Sequence, residues 1–141
     1  MKVFRLLVPV SDIEAATEFY GSVFRQSGER VSAGRHYFNC DGVTVACFDP
    51  VADGDDYSAS PFSEPIYFSV DNLDAVLERV SGAGGTFSQE SIPGVGVLGK
   101  IEDRPWGERS FYVSDPFGNP LCFVSSDTVF SGDTGNSEDA A

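Results

Sequence analysis

Leu6-Leu7-Val8-Pro9-Val10-Ser11-Asp12-Ile13-Glu14-Ala15 is written a second time sixty residues later, as Ile66-Tyr67-Phe68-Ser69-Val70-Asp71-Asn72-Leu73-Asp74-Ala75. Each copy reads as an apolar strand, a capping residue and the first turn of a helix. An acid stands three residues after Ser11 and after Asp71, the spacing of a capping box. A repeat of this length predicts a fold built from two copies of one unit, with a ligand site where the copies face each other.

Outward from the first copy, Val3 to Val10 is a strand and Asp12 to Arg25 a helix. Ile13, Ala16, Phe19, Tyr20 and Phe24 form its apolar stripe. Strands are predicted over Arg35–Asn39 and Val43–Phe48, joined by the Asp41-Gly42 turn signal. Residues 49–65, rich in Asp, Ser and Pro, read as a linker. Outward from the second copy, a helix runs to about Val80 and stops at Ser81-Gly82-Ala83-Gly84-Gly85. Strands are expected near Thr86–Gln89, Arg109–Val113 and Pro120–Val124. The order is β-α-β-β-β twice: module one over residues 3–48, module two over 66–130, in one domain of residues 1–130. Residues 131–141, small, polar and acidic, read as a disordered tail.

The chain has 141 residues and a net charge of −13, with two lysines and seven arginines. That balance argues against nucleic acid, whose phosphates need a basic footprint. No apolar run reaches the ~20 residues of a membrane span. Met1-Lys2-Val3-Phe4-Arg5 is no signal peptide. The odd cysteines Cys40, Cys47 and Cys122 then read as reduced thiols of a cytoplasmic protein. Asp53-Gly54-Asp55-Asp56 lacks the ligand series of a calcium loop and reads as a solvated acidic turn.

Pro105-Trp106-Gly107-Glu108-Arg109-Ser110-Phe111-Tyr112-Val113-Ser114-Asp115-Pro116-Phe117-Gly118-Asn119-Pro120 is similar to the last hairpin of bleomycin-resistance-like proteins. Val10-Ser11-Asp12 with Phe19-Tyr20 matches their opening strand and helix. Over Val3 to Val124 the sequence resembles the vicinal oxygen chelate superfamily of glyoxalases, bleomycin-resistance proteins and extradiol dioxygenases. The resemblance implies an α+β fold in which two βαβββ modules form a curved, partly closed mixed sheet around a central cleft. It also implies a homodimer, with the modules pairing either within a chain or between chains. The Asp115–Asn119 motif has a sufficient local explanation as a turn.

Metal-using members of that superfamily place ligands on the first and last strand of each module. The matching positions here are Arg5, Pro65, Cys122, and either Cys47 or Ala46. Arginine stays protonated and proline has no donor, so these residues imply no metal and no cofactor. A soft metal on Cys47 and Cys122, or a role for His36 or Glu64, is the competing expectation.

Strand alternation places Arg5, Leu7, Pro9, Tyr67, Ser69, Pro120, Cys122 and Val124 on the cleft face. The candidate ligand-binding residues are Arg5, Leu7, His36, Tyr67, Trp106, Arg109 and Cys122. Trp106 could stack on a planar ligand and Arg109 bind an acid; equally, they could be a turn wedge and an ion-pair partner. Cys122 beside Arg5 could be a thiolate or a small buried thiol. His36 could face the cleft or be a partly buried strand residue. The function expected is metal-independent binding of an apolar or aromatic small molecule in the inter-module cleft. A glyoxalase-like lyase, isomerase or dioxygenase with non-standard ligands is the alternative.

Overall fold

A computed structural model describes residues 1–132, so most of the expected tail lies outside the described residues. Module one comprises β1 (Arg5–Pro9), α1 (Ile13–Phe24), β2 (Glu29–Ser32), β3 (Arg35–Cys40) and β4 (Val43–Phe48). Module two comprises β5 (Ile66–Val70), α2 (Leu73–Gly82), β6 (Thr86–Phe87), β7 (Ser91–Ile92), β8 (Gly96–Val97), β9 (Glu102–Asp103), β10 (Arg109–Ser114) and β11 (Pro120–Ser125). The sheets run β1-β4-β3-β2 and β5-β11-β10-β6, with β9 also on β10. In each sheet the first strand lies parallel to the last, and the other pairings are antiparallel. The α+β class and the two βαβββ modules of mixed sheet are as the repeat predicts.

Three details differ. The helix caps sit one residue later than read: Asp12 and Asn72 accept the amides of Ala15 and Ala75, each at 3.1 Å. Glu14 is thereby freed from a capping box and pairs with Arg30 at 2.8 Å. Module one has a third strand, β2, whose exposed residues and register shift hide any alternation. In module two that strand is broken. β6 pairs with Val113 and Ser114, the Leu98 carbonyl accepts the Tyr112 amide at 2.8 Å, and β9 pairs with Arg109 and Ser110.

Arg104, only 3% exposed, organises this broken edge. Its guanidinium donates to the carbonyls of Val95, Val97, Leu98, Lys100 and Ser110 and to the Ser110 hydroxyl, at 2.9–3.2 Å. Buried carbonyls need partners, and one cation supplies several at once.

One apolar core serves both modules. Phe24 of α1 packs its ring on Phe38 of β3 at 5.5 Å and on Phe68 of β5 at 5.7 Å. The helix-facing sides of both sheets therefore look toward the same interior, and their outer sides turn away from it. The turn at Asp115 locks the modules together. Tyr20 of α1 donates to Asp115 Oδ2 at 2.5 Å, and Asn119 donates to the Pro9 carbonyl at 2.7 Å. Asn119 also accepts the Phe62 amide of the connecting segment at 2.9 Å. Burial, and then the Asp115 carboxylate, raise the Tyr20 pKa well above its ordinary value, so the phenol stays a donor.

Candidate functional site

Strand pairing decides which side chains share a face. On the outer side of the first sheet, Leu7 stands opposite Ala46 and Ala46 opposite Tyr37. On the second, Tyr67 stands opposite Cys122 and Cys122 opposite Tyr112. The two rows correspond, so the last-strand position of module one is Ala46. Cys47 lies on the core side with no exposed surface, so it cannot share a metal with Cys122.

The outer face of module one carries two guanidinium groups on aromatic rings. Arg5 lies over Phe4 and Tyr37, 5.2 and 5.3 Å from the ring centres. Arg35 lies 4.2 Å over Phe48, donates to the Tyr37 hydroxyl at 3.3 Å, and stands 3.5 Å from Asp53. Asp53 is tied down rather than merely solvated: it also accepts from Ser32 and the Gly34 amide. Those bonds, led by Ser32, hold its pKa below the usual carboxylate value. Arg5 has no carboxylate within 4 Å among the described residues.

The outer face of module two is a cup of 360 Å³ walled by Tyr67, Trp106, Val124, Val129 and Phe130 with Glu108. Glu108 accepts from Trp106 Nε1 at 3.0 Å and from the Phe130 amide at 2.9 Å. The carboxylate thus fixes both aromatic walls. Tyr67 is 60% and Trp106 49% exposed, so both rings present open surface. Behind them burial, and then the neighbouring Cys122 and Tyr67, raise the pKa of the Tyr112 hydroxyl. The Cys122 thiol is pushed up to about 11, chiefly by burial. It is a protonated donor at neutral pH, not a thiolate.

The structure chooses between the alternatives left open at several candidate residues. His36 faces the core side, 6% exposed and opposite Cys47, with its ring bonded to the Ser27 carbonyl and to Arg30. Arg109 alternates with Ser110 and Tyr112, so it lies off the cup and pairs with Asp103 at 3.3 Å. The cation felt by Cys122 is Arg104, not Arg5. Tyr67, Trp106 and Cys122 belong to one face, whereas Arg5 and Leu7 belong to the other. Tyr37, Arg35, Glu108, Tyr112 and Phe130 were not singled out from sequence. The Tyr37–Tyr112 correspondence becomes visible only once the strands are paired.

A second groove of 540 Å³ runs between the modules on the helix side and meets the cup along Tyr67, Phe68 and Ser69 of the edge strand β5. Of the seven candidate residues only Tyr67 borders it.

Fit to a metal follows from the donor set. The side chains of Arg5, Ala46 and Pro65 offer no lone pair that a cation could use, which leaves Cys122 as the single donor at these four positions. Among the described residues no group of three or more His, Cys, Asp and Glu side chains could hold a metal ion. The residues present do not fit one.

A family model described as the Glyoxalase/Bleomycin resistance protein/Dioxygenase superfamily matches residues 2–123. Among solved structures, a glyoxalase-related enzyme from Fulvimarina pelagi is similar, with a TM-score of 0.68 and 20% identity over 89% of this chain and 88% of that one. A glyoxalase/bleomycin resistance protein from Albidiferax ferrireducens T118 gives 0.66 and 19% over 86% and 95%. A lactoylglutathione lyase from Agrobacterium tumefaciens gives 0.62 and 18% over 88% and 92%. At such identities the likeness speaks for the fold alone. No curated protein matches the chain. By the family match over nearly its whole described length, the chain belongs to the Glyoxalase/Bleomycin resistance protein/Dioxygenase superfamily.

Proposed function

We propose that this protein is a metal-independent, bleomycin-resistance-like binder of an apolar or aromatic small molecule, acting in the cytoplasm as a homodimer. The observation that carries the reading is Arg5. In a chain with 22 acidic residues this guanidinium lies over two rings, with no carboxylate partner among the described residues. Stacked in that way, its free N–H edges suit an acidic group on a ligand. The aromatic cup of module two suits the ligand's planar body. Because the outer faces turn away from each other within a chain, one enclosed site forms when module one of one copy meets module two of another.

Trp106, the single tryptophan, reports on the cup. Titration with 2-naphthoate is expected to change its fluorescence saturably, and 2-naphthamide to bind about tenfold more weakly. Arg5→Gln should weaken the acid by a similar factor and leave the amide unchanged. No response to either compound would overturn the reading.

A further inference from the structure

The inter-module groove lies on the other side of the sheets from the outer faces. Its walls are Leu6, Phe24, Val45, Phe68, Val70 and Phe123, apolar groups from both sheets and from α1. On β5 the helix-facing Ile66, Phe68 and Val70 are all only partly buried, so this apolar surface is left unfilled. A volume of 540 Å³ is within the range of small-molecule sites.

The polar rim consists mainly of Gln26, Asn39, Asp41 and Arg79. The Gln26 side chain donates to the Asn39 carbonyl at 2.6 Å and accepts the Asn39 amide at 3.2 Å, while Asn39 Oδ1 accepts the Gly42 amide at 2.9 Å. Arg79 uses Nε and Nη2 on the Val23 carbonyl, at 3.2 and 3.1 Å. Among the described residues no hydrogen bond uses its Nη1, and no carboxylate lies within 4 Å. One side of the guanidinium is thus fixed against the end of α1 while its other donors remain at the mouth of an apolar groove. Asp41 at the same rim disfavours a head group with two negative charges.

We propose that this groove binds an amphiphilic monocarboxylate, with the carboxylate on Nη1 of Arg79 and the apolar chain along Phe24 and Phe68. The site adjoins the cup at Tyr67, Phe68 and Ser69 but uses neither Arg5 nor Trp106.

Cys40 lines the groove and is half-buried, whereas Cys47 and Cys122 are 0% and 1% exposed. Its alkylation by N-ethylmaleimide, followed by peptide mass spectrometry, therefore reports on the groove. Decanoate is expected to slow that reaction at about one-tenth the concentration required of decanol, decyl phosphate or decyltrimethylammonium. Arg79→Gln should bring decanoate level with decanol. Val43→Phe, which fills the groove while keeping Arg79, should abolish the protection and serves as the test if Arg79→Gln does not fold. Failure of decanoate to slow alkylation overturns the proposal, as does equal action by all four compounds. Protection that survives both substitutions, or that is lost on Arg5→Gln, also overturns it.

Discussion

Val8 on β1 and Val10 just past its end are completely buried, whereas Phe68 and Val70, sixty residues on, stay partly exposed. α1 has 12 residues and brings Phe19, Tyr20 and Phe24 to the interior; α2 has 10 and brings Leu73, Val76 and Val80. The pattern of the repeat is kept, but the volume is not. Module two therefore leaves a groove on its helix side. It also replaces a continuous edge strand by short pieces gathered around Arg104. The difference teaches that a shared pattern fixes topology, while side-chain size decides where surface is left for a ligand.

Arg104→Met should break module two most severely. Five carbonyls lose a charged donor, and each unsatisfied one costs ~1–3 kcal/mol. Partial re-pairing with water reduces the sum, so a loss of about 3–5 kcal/mol in urea unfolding is expected. Hydrogen exchange should quicken over residues 95–104 before it does in β3 and β4. Equal quickening in both modules would show that Arg104 supports the whole core instead.

Tyr20→Phe cuts one of the two ties between the modules at the Asp115 turn and leaves Asn119 on the Pro9 carbonyl. The carboxylate keeps three donors, from Phe117 and twice from Asn119, so a smaller loss of about 1–2 kcal/mol is expected. An unchanged midpoint would show that the shared core and the Asn119–Pro9 bond suffice to hold the modules together.

Alkaline pH should act on both modules, module one also carrying Cys40, which burial raises to about 11. Burial pushes Cys47 to about 12 in module one and Cys122 to about 11 in module two. For an acid raised in the folded state, stability is unaffected while both states keep the proton. It falls as pH rises past the unfolded thiol value of roughly 8.5. Unfolding midpoints should therefore hold to about pH 8.5 and decline above it, and Cys47→Ala or Cys122→Ala should each blunt the decline.

Much of this was legible in the sequence. The strand–helix starts, the Asp-Gly turn and the strand faces at Leu7, Tyr67 and Cys122 follow from period and punctuation. His36 was open to either face because a one-residue change of register inverts a strand, and only its pairing with Cys47 settles it. Arg104 was illegible for a different reason. A basic residue in a loop before Pro105 looks like a surface group, and the carbonyls that bury it come from residues as far back as Val95. β2 belongs to the expected β-α-β-β-β order but could not be placed along the chain, because its exposed residues show no alternation.

The central claim is that Arg5 and the aromatic cup bind an organic ligand without a metal. Its most direct test is calorimetric titration of 2-naphthoate into protein stripped with EDTA, repeated after adding Ni²⁺, Zn²⁺, Fe²⁺ or Mn²⁺. The account predicts the same affinity in every case, with no metal retained after dialysis. Binding that appears only with a metal, accompanied by stoichiometric metal retention, would contradict it.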